Sequence, residues 1–321
     1  MRHRFHALCP YFAMFPEQFV EKHLIWTKPG DVVFDPFSGR GTTVFESLLR
    51  GRQSASLDIN PVAVCVSKAK ASPPSAIAVA RRLAELHHER TNVQGDEAQD
   101  EFFQACFHPE TLATLLYLRK TLRWRESEED AFIAAVALGC LHGESHRTRR
   151  CFSNRMPRTI STKPAYSVRW WNRHGYTAPL RDPFEILQEV IDFRMASPPA
   201  PLRGRVVQGD ARQASGSFPE LQGRVALVVT SPPYLDTTDY SEDQWLRLWF
   251  LGGPSAPARR LRGDDRHRDA SEYWQFLAEA WAGIAPLLRR KDAHLVVRIG
   301  GRRVARAECT ELLTASVTRG I

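Results

Sequence analysis

The sequence lacks any pairing of cysteines. Its six cysteines are scattered, with no Cys-x-x-Cys pair and no metal-ligand spacing, at positions 9, 65, 106, 140, 151 and 309. This distribution argues against a zinc site and against the disulfide framework of a small secreted scaffold. We therefore expect free thiols, a reducing compartment and no bound metal.

Long apolar runs are also missing. No window approaches the roughly 18 apolar residues that a membrane-spanning helix needs. The first residues, Met-Arg-His-Arg-Phe-His, lead into Cys-Pro-Tyr and not into the apolar core of a secretory signal. These absences predict a cytoplasmic protein with no membrane partner.

What the sequence does contain is a globular composition with a surplus of positive charge. Of its 321 residues, 43% are hydrophobic and 25% are charged, and the formal net charge is +8. A chain of this length builds one large domain or two smaller ones. The surplus favours a polyanionic partner, although many basic proteins bind no nucleic acid.

Five short apolar segments predict β-strands, and helical patterns lie between them. The strands are expected at about 31–36, 54–59, 205–209, 225–230 and 293–299. The helices are expected at about 16–26, 42–51, 61–70, 101–123, 130–145, 183–195, 271–288 and 304–317. This alternation predicts an α/β fold with a doubly wound, mostly parallel sheet. Pro-rich breaks near 72–74 and 197–201 indicate a catalytic domain of residues 1–71 and 202–321, interrupted by a largely helical insertion, residues 72–201.

One stretch of the insertion has no acidic residue. Residues 147–181 hold nine Arg or Lys residues, no Asp or Glu, and several aromatic residues. Cations neutralise phosphates and aromatic rings stack on bases, although a solvated basic loop with its aromatics in a local core has the same composition. The stretch predicts a nucleic-acid-binding, target-recognition surface formed by Arg147, Arg149, Arg150, Arg155, Arg158, Lys163, Arg169 and Arg173.

A glycine-containing turn follows the first predicted strand. The run Asp35-Pro-Phe-Ser-Gly-Arg-Gly-Thr-Thr43 leads into a helix that begins near Thr42. Glycines let a ligand approach the main chain, and a helix amino terminus offers N–H donors to a carboxylate. Asp58 and Asp210 end the next two strands, where carboxylates reach ribose hydroxyls and an adenine amino group. Each Asp alone is equally typical of a helix cap, but the three strand ends together indicate a nucleotide-like cofactor.

The run Thr230-Ser-Pro-Pro-Tyr234 follows the fourth predicted strand. An exocyclic amino nitrogen of cytosine or adenine is a poor nucleophile, because its lone pair is delocalised into the ring. Ser231 Oγ and the Pro232 carbonyl are candidate acceptors for its two N–H groups, and Pro232 and Pro233 fix the backbone that aims them. Tyr234 is a candidate to stack on a base extruded from a duplex. A rigid Pro-Pro turn beside a core tyrosine is the structural alternative.

Together the two motifs resemble those of the amino-group DNA methyltransferases, the N4-cytosine and N6-adenine enzymes. The resemblance covers roughly residues 5–71 and 203–300. It implies S-adenosylmethionine as cofactor, held by Phe15, Asp35, Phe37, Gly39, Gly41 and Asp58, with Thr42 and Asp210 added from the helix and strand ends. It also implies a target base held by Ser231, Pro232, Pro233 and Tyr234.

A serine at the first catalytic position is associated in this family mainly with cytosine N4, and Asp or Asn with adenine N6. The resemblance therefore implies a site-specific DNA (cytosine-N4) methyltransferase that acts on double-stranded DNA beside a companion restriction endonuclease. An N6-adenine enzyme, an RNA base methyltransferase, a protein-glutamine methyltransferase and a non-catalytic nucleic-acid-binding subunit are the alternatives.

The family fold also ends with an antiparallel pair of strands after the fifth strand. No segment for that pair is found in the sequence. We expect either a truncated sequence or a sheet edge covered in another way, because a bare hydrophobic edge promotes aggregation.

Overall fold

The computed structural model of the protein describes residues 2–11, 15–143, 149–156, 163–197, 200–235, 243–257, 270–299 and 306–321. The strands are β1 Val32–Asp35, β2 Gln53–Asp58, β3 Arg205–Gln208, β4 Val225–Thr230 and β5 His294–Val297. The α-helices are α1 Glu17–His23, α2 Thr42–Leu49, α3 Pro61–Ala71, α4 Ala76–His88, α5 Glu101–Cys106, α6 Pro109–Thr121, α7 Glu128–Cys140, α8 Pro164–His174, α9 Pro183–Met195, α10 Ala214–Ser217, α11 Trp245–Phe250, α12 Ala270–Ile284 and α13 Arg306–Gly320. Short 3-10 helices span Arg4–Ala7, Leu24–Trp26, Asp96–Gln99, Ala211–Gln213, Pro219–Leu221 and Ala285–Leu287.

These elements pack as two compact units, each built from separate stretches of the chain. The helical unit consists of Met1–Pro10, Pro73–Pro198 and Tyr240–Arg260. The sheet unit consists of Tyr11–Ser72, Pro199–Asp239 and Leu261–Ile321. The division of catalysis and target recognition between two domains stays a prediction.

The sheet unit contains a five-stranded sheet in the order β3-β2-β1-β4-β5. All four strand pairings are parallel. The structure confirms the predicted α/β fold with a doubly wound, parallel sheet. The chain order reverses between β1 and β4, and this switch point is where open parallel sheets bind ligands, beyond the carboxyl ends of the strands.

Alternating strand residues form a core on each face of the sheet. On one face, Val32 and Phe34 of β1 pack with Trp281 of α12. On the other, Val33 of β1 packs with Phe15 and with α1 residues. Successive side chains of a strand point to opposite faces, so a short apolar strand supports both layers. The two layers hold the ends of β1 and β4 in fixed positions.

In the helical unit, α7 is buried on all sides, which is the signature of a core helix. Ser127 starts α7 by accepting a hydrogen bond from the Asp130 N–H, at 3.1 Å. Near its end, a Cβ on Gly139 would lie 2.2 Å from the carbonyl oxygen of Leu8, so only glycine lets the first residues of the chain pack there. Of the described helices, none has both the length and the apolar character that crossing a membrane demands.

All five predicted strands are found, whereas the helices differ from the prediction at several places. The pattern did not predict α4, α8 or the short helix α10. The helix expected at 101–123 is two helices, because Phe107 is extended and His108 accepts a bond from the Glu110 N–H to start α6. Proline 109 at the first helical position suits a helix start and not a helix interior.

Candidate active site

The glycine turn connects β1 to α2 through two left-handed residues. Gly39 has φ +49° and Gly41 has φ +72°. A Cβ on Gly41 would lie 2.7 Å from Ser67 Oγ and 3.0 Å from Ser67 Cα, so both the backbone conformation and the packing against α3 require glycine. Ser38 Oγ donates to Ser67 Oγ at 2.7 Å and lies 3.0 Å from Ser56 Oγ. The turn is therefore held from two sides by hydroxyl groups.

Asp58, at the end of β2, is bonded to the same turn. Its Oδ2 accepts the Gly39 N–H at 2.9 Å, and its Oδ1 accepts the Asn60 N–H at 2.9 Å. The side chain lies half-buried between the two segments. The predicted contact with ribose hydroxyls stays a prediction, and Asp58 has a further role that the sequence did not indicate, which is to hold Gly39 in place.

Helix α2 begins directly after the turn. Gly41 is its N-cap residue, and within the described ranges no side chain caps the helix. Thr42 is the first residue of α2 and is buried. First-turn N–H groups have no partner inside their own helix and bind carboxylates or phosphates well. This end of α2 therefore suits an anionic group.

Asp35 joins the two sequence motifs. Its Oδ1 accepts the Thr230 hydroxyl at 2.6 Å and the Phe37 N–H at 3.0 Å. Burial raises the pKa of Asp35 to about 6, and the bonds from Thr230 and Phe37 act in the opposite direction. Since Thr230 directly precedes Ser231, this buried carboxyl fixes the distance between the glycine turn and the Ser-Pro-Pro-Tyr run.

Ser231 lies just beyond β4 with a buried hydroxyl. Its Oγ has no hydrogen-bond partner in the described part of the chain. Pro232 is buried, and Pro233 and Tyr234 are half-buried. An unpartnered buried hydroxyl is costly for a fold to keep, and such groups concentrate at functional sites. The predicted role of the Ser231 hydroxyl as an acceptor for the target base stays a prediction.

Three further residues predicted to hold the cofactor have other partners. Asp210 caps a 3-10 helix, and both its carboxylate oxygens bind the Arg212 guanidinium, which lowers the pKa of Asp210. A contact with an adenine amino group stays a prediction and requires Arg212 to move. Phe15 lies in the core with its ring 5.2 Å from that of Phe19. Phe37 is half-buried, and its ring centroid lies 5.8 Å from that of Phe276 in an edge-to-face arrangement.

The predicted nucleic-acid-binding residues fall into three groups. Arg147 and Arg158 lie outside the described residues. Two are engaged with neighbouring side chains: Arg150 pairs with Glu189 at 2.6 Å, and Arg155 donates to the Tyr176 hydroxyl at 3.1 Å. The remaining four are exposed: Arg149, Lys163, Arg169 and Arg173. Among the aromatic residues of this stretch, Phe152 and Trp171 are fully buried and belong to the core.

Helix α8 presents cations and aromatic rings together. Arg169 and Arg173 are one turn apart on its exposed side, which is the spacing that places two side chains next to each other. The Trp170 ring lies 4.7 Å from the His174 ring, which stacks on Tyr176 with 14° between the planes. Proline 164 at the start of α8 and Gly175 just after it were the signals that could have predicted this helix.

These features define a class of protein. A left-handed glycine turn, an open helix terminus and an acidic strand end lie at the switch point of a parallel sheet, beside a buried hydroxyl on a proline-fixed loop. This combination is typical of α/β proteins that bind a nucleotide-like cofactor next to a small polar acceptor site. Among the described residues, no three His, Cys, Asp or Glu side chains are grouped in a way that would hold a metal ion.

Comparison with known proteins finds a family that resembles the first part of the chain. Residues 3–69 match the family model described as DNA methylase, for N6 and N4 methyltransferases. This part of the chain is similar to the amino-group methyltransferases. The similarity implies S-adenosylmethionine as the methyl donor. The described residues fit that cofactor, because the open terminus of α2 suits its carboxylate and Asp58 ends the neighbouring strand.

Three relatives show how far the similarity extends. The chain is 43% identical over 49 residues to the orphan methyltransferase M.BamHII of Bacillus amyloliquefaciens, covering 15% of this chain and 18% of that protein. It is 33% identical over 92 residues to the type II methyltransferase M.MvaI of Kocuria varians, and this match covers 27% of this chain and 20% of that protein. It is 27% identical over 133 residues to the type II methyltransferase M.MjaII of Methanocaldococcus jannaschii, and this match covers 40% of this chain and 25% of that protein. The chain thus matches about a quarter or less of the length of each relative.

Proposed function

We propose that the protein is a DNA methyltransferase that transfers the methyl group of S-adenosylmethionine to the exocyclic N4 of a flipped cytosine. One observation carries the proposal: the buried Ser231 hydroxyl has no partner in the described ranges, and it directly follows Thr230, which is bonded to the glycine-turn residue Asp35. The acceptor and the proposed cofactor turn are thereby linked through one hydrogen bond.

Ser231 Oγ and the Pro232 carbonyl accept the two N–H groups of the base. This pulls the amino nitrogen towards tetrahedral geometry and localises its lone pair, and the rigid prolines make the stabilisation preorganised. Tyr234 stacks on the extruded base, because an exocyclic nitrogen inside a duplex cannot be reached. When bound, S-adenosylmethionine supplies the methyl group directly, with no covalent enzyme intermediate.

Binding of double-stranded DNA is proposed for the helical unit. Arg169 and Arg173 of α8 are exposed beside the rings of Trp170, His174 and Tyr176. Cations and aromatic rings are the two kinds of side chain that hold phosphates and unstacked bases. The net charge of +8 supports the same partner.

The first experiment is a mass-spectrometric nucleoside digest of mixed-sequence duplex DNA incubated with the protein and labelled S-adenosylmethionine. We expect labelled N4-methylcytosine. Ser231→Ala is expected to lower the rate about 100- to 1,000-fold, as does loss of one preorganised polar group elsewhere. Ser72→Ala is the matched control, because the Ser72 hydroxyl already donates to the Gly204 carbonyl at 3.0 Å.

The same digest tests the alternatives. Labelled N6-methyladenine would retain the mechanism and overturn the choice of base. A serine at position 231, where adenine enzymes of the family mostly have Asp or Asn, supports cytosine. If no base of DNA were labelled and a base of RNA were labelled in a second digest, DNA would be excluded as the substrate.

We also propose a restriction–modification role in a reducing, cytoplasmic setting. The six cysteines are free, as expected where thiols stay reduced. Two relatives are described as type II methyltransferases, and a companion endonuclease is the partner proposed here. Genomic DNA from cells that express the protein should resist one restriction endonuclease whose site contains the modified base, whereas cutting by every enzyme of a broad panel would contradict this role.

A further inference from the structure

Among the described residues of the helical unit, one buried arginine has fewer hydrogen-bond partners than its charge requires. Arg247, on α11, is fully buried. Its Nε donates to the Leu138 carbonyl of α7 at 3.1 Å. In the described part of the protein, neither Nη1 nor Nη2 has a hydrogen-bond partner. Four of the five N–H groups of this guanidinium are therefore unused.

Two neutral polar side chains share this interior. His142 follows the end of α7 with 4% of its surface exposed, and its Nδ1 has no hydrogen-bond partner within the described residues. Burial, followed by the positive charge of Arg247, lowers the pKa of His142 well below its usual value. Gln244, one turn before Arg247, is 1% exposed, and both ends of its amide likewise have no partner in the described ranges.

A buried charge with no counter-charge is among the least favourable arrangements in a protein. Neutral His142 cannot compensate Arg247, and Gln244 is neutral as well. Among the described residues, the groups without a partner are mostly hydrogen-bond donors: the two guanidinium nitrogens, the Gln244 Nε2 and, in the tautomer protonated at Nδ1, the His142 imidazole. The Gln244 Oε1 is the one acceptor among them. A guanidinium fork binds an oxyanion in two-point fashion, which is why arginine predominates where phosphate is recognised.

We propose that Arg247, Gln244 and His142 form a binding site for a phosphate group. Phosphate supplies the missing negative charge and several acceptor oxygens to a site in which most of the unpartnered groups are donors. Its sources are inorganic phosphate or a phosphodiester of the nucleic acid. The phosphodiester source rests on the proposed function, in which the protein binds DNA. Arg247 lies in the segment that follows the Ser231–Tyr234 run.

Isothermal titration of the full chain with inorganic phosphate, without DNA or S-adenosylmethionine, tests the site directly. Sodium chloride of equal ionic strength is the reference. We expect saturable binding and a melting temperature that rises with phosphate, because a ligand that binds only the native state stabilises it. Arg247→Lys keeps the charge but loses the fork, and it should raise the Kd for phosphate by at least about tenfold.

Arg119→Lys is the matched control. Arg119 lies in the same unit and is already bonded to the Trp249 and Gly253 carbonyls, at 2.8 and 2.9 Å. This variant should bind phosphate like the wild type. An equal loss in both variants, or no saturable phosphate binding by the wild type, would overturn the proposal.

The variant Gln244→Glu provides a second test of the phosphate site if Arg247→Lys does not fold. It places a carboxylate one turn from Arg247, so it should raise the melting temperature without phosphate and remove the response to phosphate. A lower melting temperature than that of Gln244→Met, with the phosphate response retained, would contradict an oxyanion site.

A DNA oligonucleotide added to the phosphate complex identifies the source. Competition assigns the site to a phosphodiester, and phosphate binding that DNA does not disturb assigns it to the free ion. Because phosphate binding is measured without methyl transfer, a protein that binds phosphate but methylates nothing contradicts the proposed function and leaves this site intact.

Discussion

Asp35 shows how one carboxyl group both connects and constrains the candidate site. It is buried, it accepts the Thr230 hydroxyl, and burial raises its pKa to about 6. Because burial penalises the charged form of this carboxyl, the site gains little from its charge. Its value to the site is geometric, because it holds the ends of β1 and β4 together.

The titration of Asp35 makes stability depend on pH. The native pKa of about 6 lies above the ordinary 3.8, so the native state holds the proton more tightly than the unfolded chain does. This contribution to stability is complete below pH 3.8 and is lost as the pH rises through about 6. Between about pH 4 and pH 7, we expect the wild type to lose roughly 2 kcal/mol of unfolding free energy relative to Asp35→Asn.

Urea unfolding of both proteins at the two pH values measures this difference. Thr230→Val is the control, because it keeps the carboxyl and removes a hydrogen bond that lowers its pKa. In this variant the loss of stability should shift to higher pH. Identical pH profiles for the wild type and Asp35→Asn would show that the carboxyl is already ionised and would contradict its burial.

Asp58 is expected to control cofactor affinity. Replacing it with alanine removes the proposed ribose acceptor and frees the Gly39 N–H that Oδ2 now binds. Hydrogen bonds to charged groups contribute about 1.5–3 kcal/mol each, so the Kd for S-adenosylmethionine should rise roughly 10- to 100-fold. Isothermal titration with the cofactor measures it.

Asp31→Ala is the matched control for that experiment. Asp31 accepts the Lys28 N–H just before β1, at the opposite end of the strand from the site. Its loss should leave the Kd unchanged. An unchanged Kd for Asp58→Ala as well would rule out the ribose role.

At the scale of elements, α8 is the strongest candidate for contact with DNA. Changing both Arg169 and Arg173 to glutamine removes two exposed cations without disturbing the buried Trp171. Each lost phosphate contact lowers the slope of log K against log salt by about 0.9, so the slope should fall by roughly 2. Fluorescence anisotropy with a duplex at several salt concentrations measures it.

Arg81→Gln on α4 is the control for α8. Arg81 is a largely exposed arginine of the same unit, with 76% of its side chain accessible and Glu85 beside it. It should leave the slope nearly unchanged. Equal reductions in both variants would mean that net charge, and not α8, attracts the DNA.

The strands were predictable because each is a short apolar segment that ends at a turn residue. Helix α4 was missed although Val79, Leu83 and Leu86 have helical spacing and are buried. Helix α8 was missed because its charges and aromatic residues favoured a loop. In both cases, packing against other helices outweighed a weak local signal.

The motifs of the candidate site were predictable from the sequence, but the hydrogen bonds between its side chains were not. The sequence placed Gly39, Gly41, Asp58 and Ser231 at strand ends, where the structure has them. It did not predict that Thr230 bonds Asp35 or that Arg212 binds Asp210, because these partners depend on side-chain conformations. The sequence also did not indicate the state of Arg247, whose Nη1 and Nη2 have no partner among the described residues, since only burial distinguishes it from a surface arginine.

At the scale of the whole molecule, the proposed cofactor residues and the proposed DNA-binding residues belong to different units. Phe15, Asp35, Asp58 and Ser231 lie in the sheet unit, whereas Arg169 and Arg173 lie in the helical unit. Each unit is assembled from three stretches of chain. Residues 240–260, which follow the Ser231–Tyr234 run, belong to the helical unit, and their position in the sequence gives no sign of it.

This arrangement predicts that the two binding functions are separable by mutation. Asp58→Ala should weaken the binding of S-adenosylmethionine and leave the affinity for duplex DNA at the wild-type value. The double change Arg169→Gln with Arg173→Gln should weaken DNA binding and leave the affinity for the cofactor unchanged. A protein with all three changes should lose binding free energy for each ligand by the amount seen in the separate variants, as independent sites do. The four proteins are compared by cofactor titration and by DNA anisotropy. A cofactor Kd that rises in the α8 variant, or a triple variant whose losses exceed the sum, would mean that the two sites are coupled and that a change in one unit is transmitted to the other.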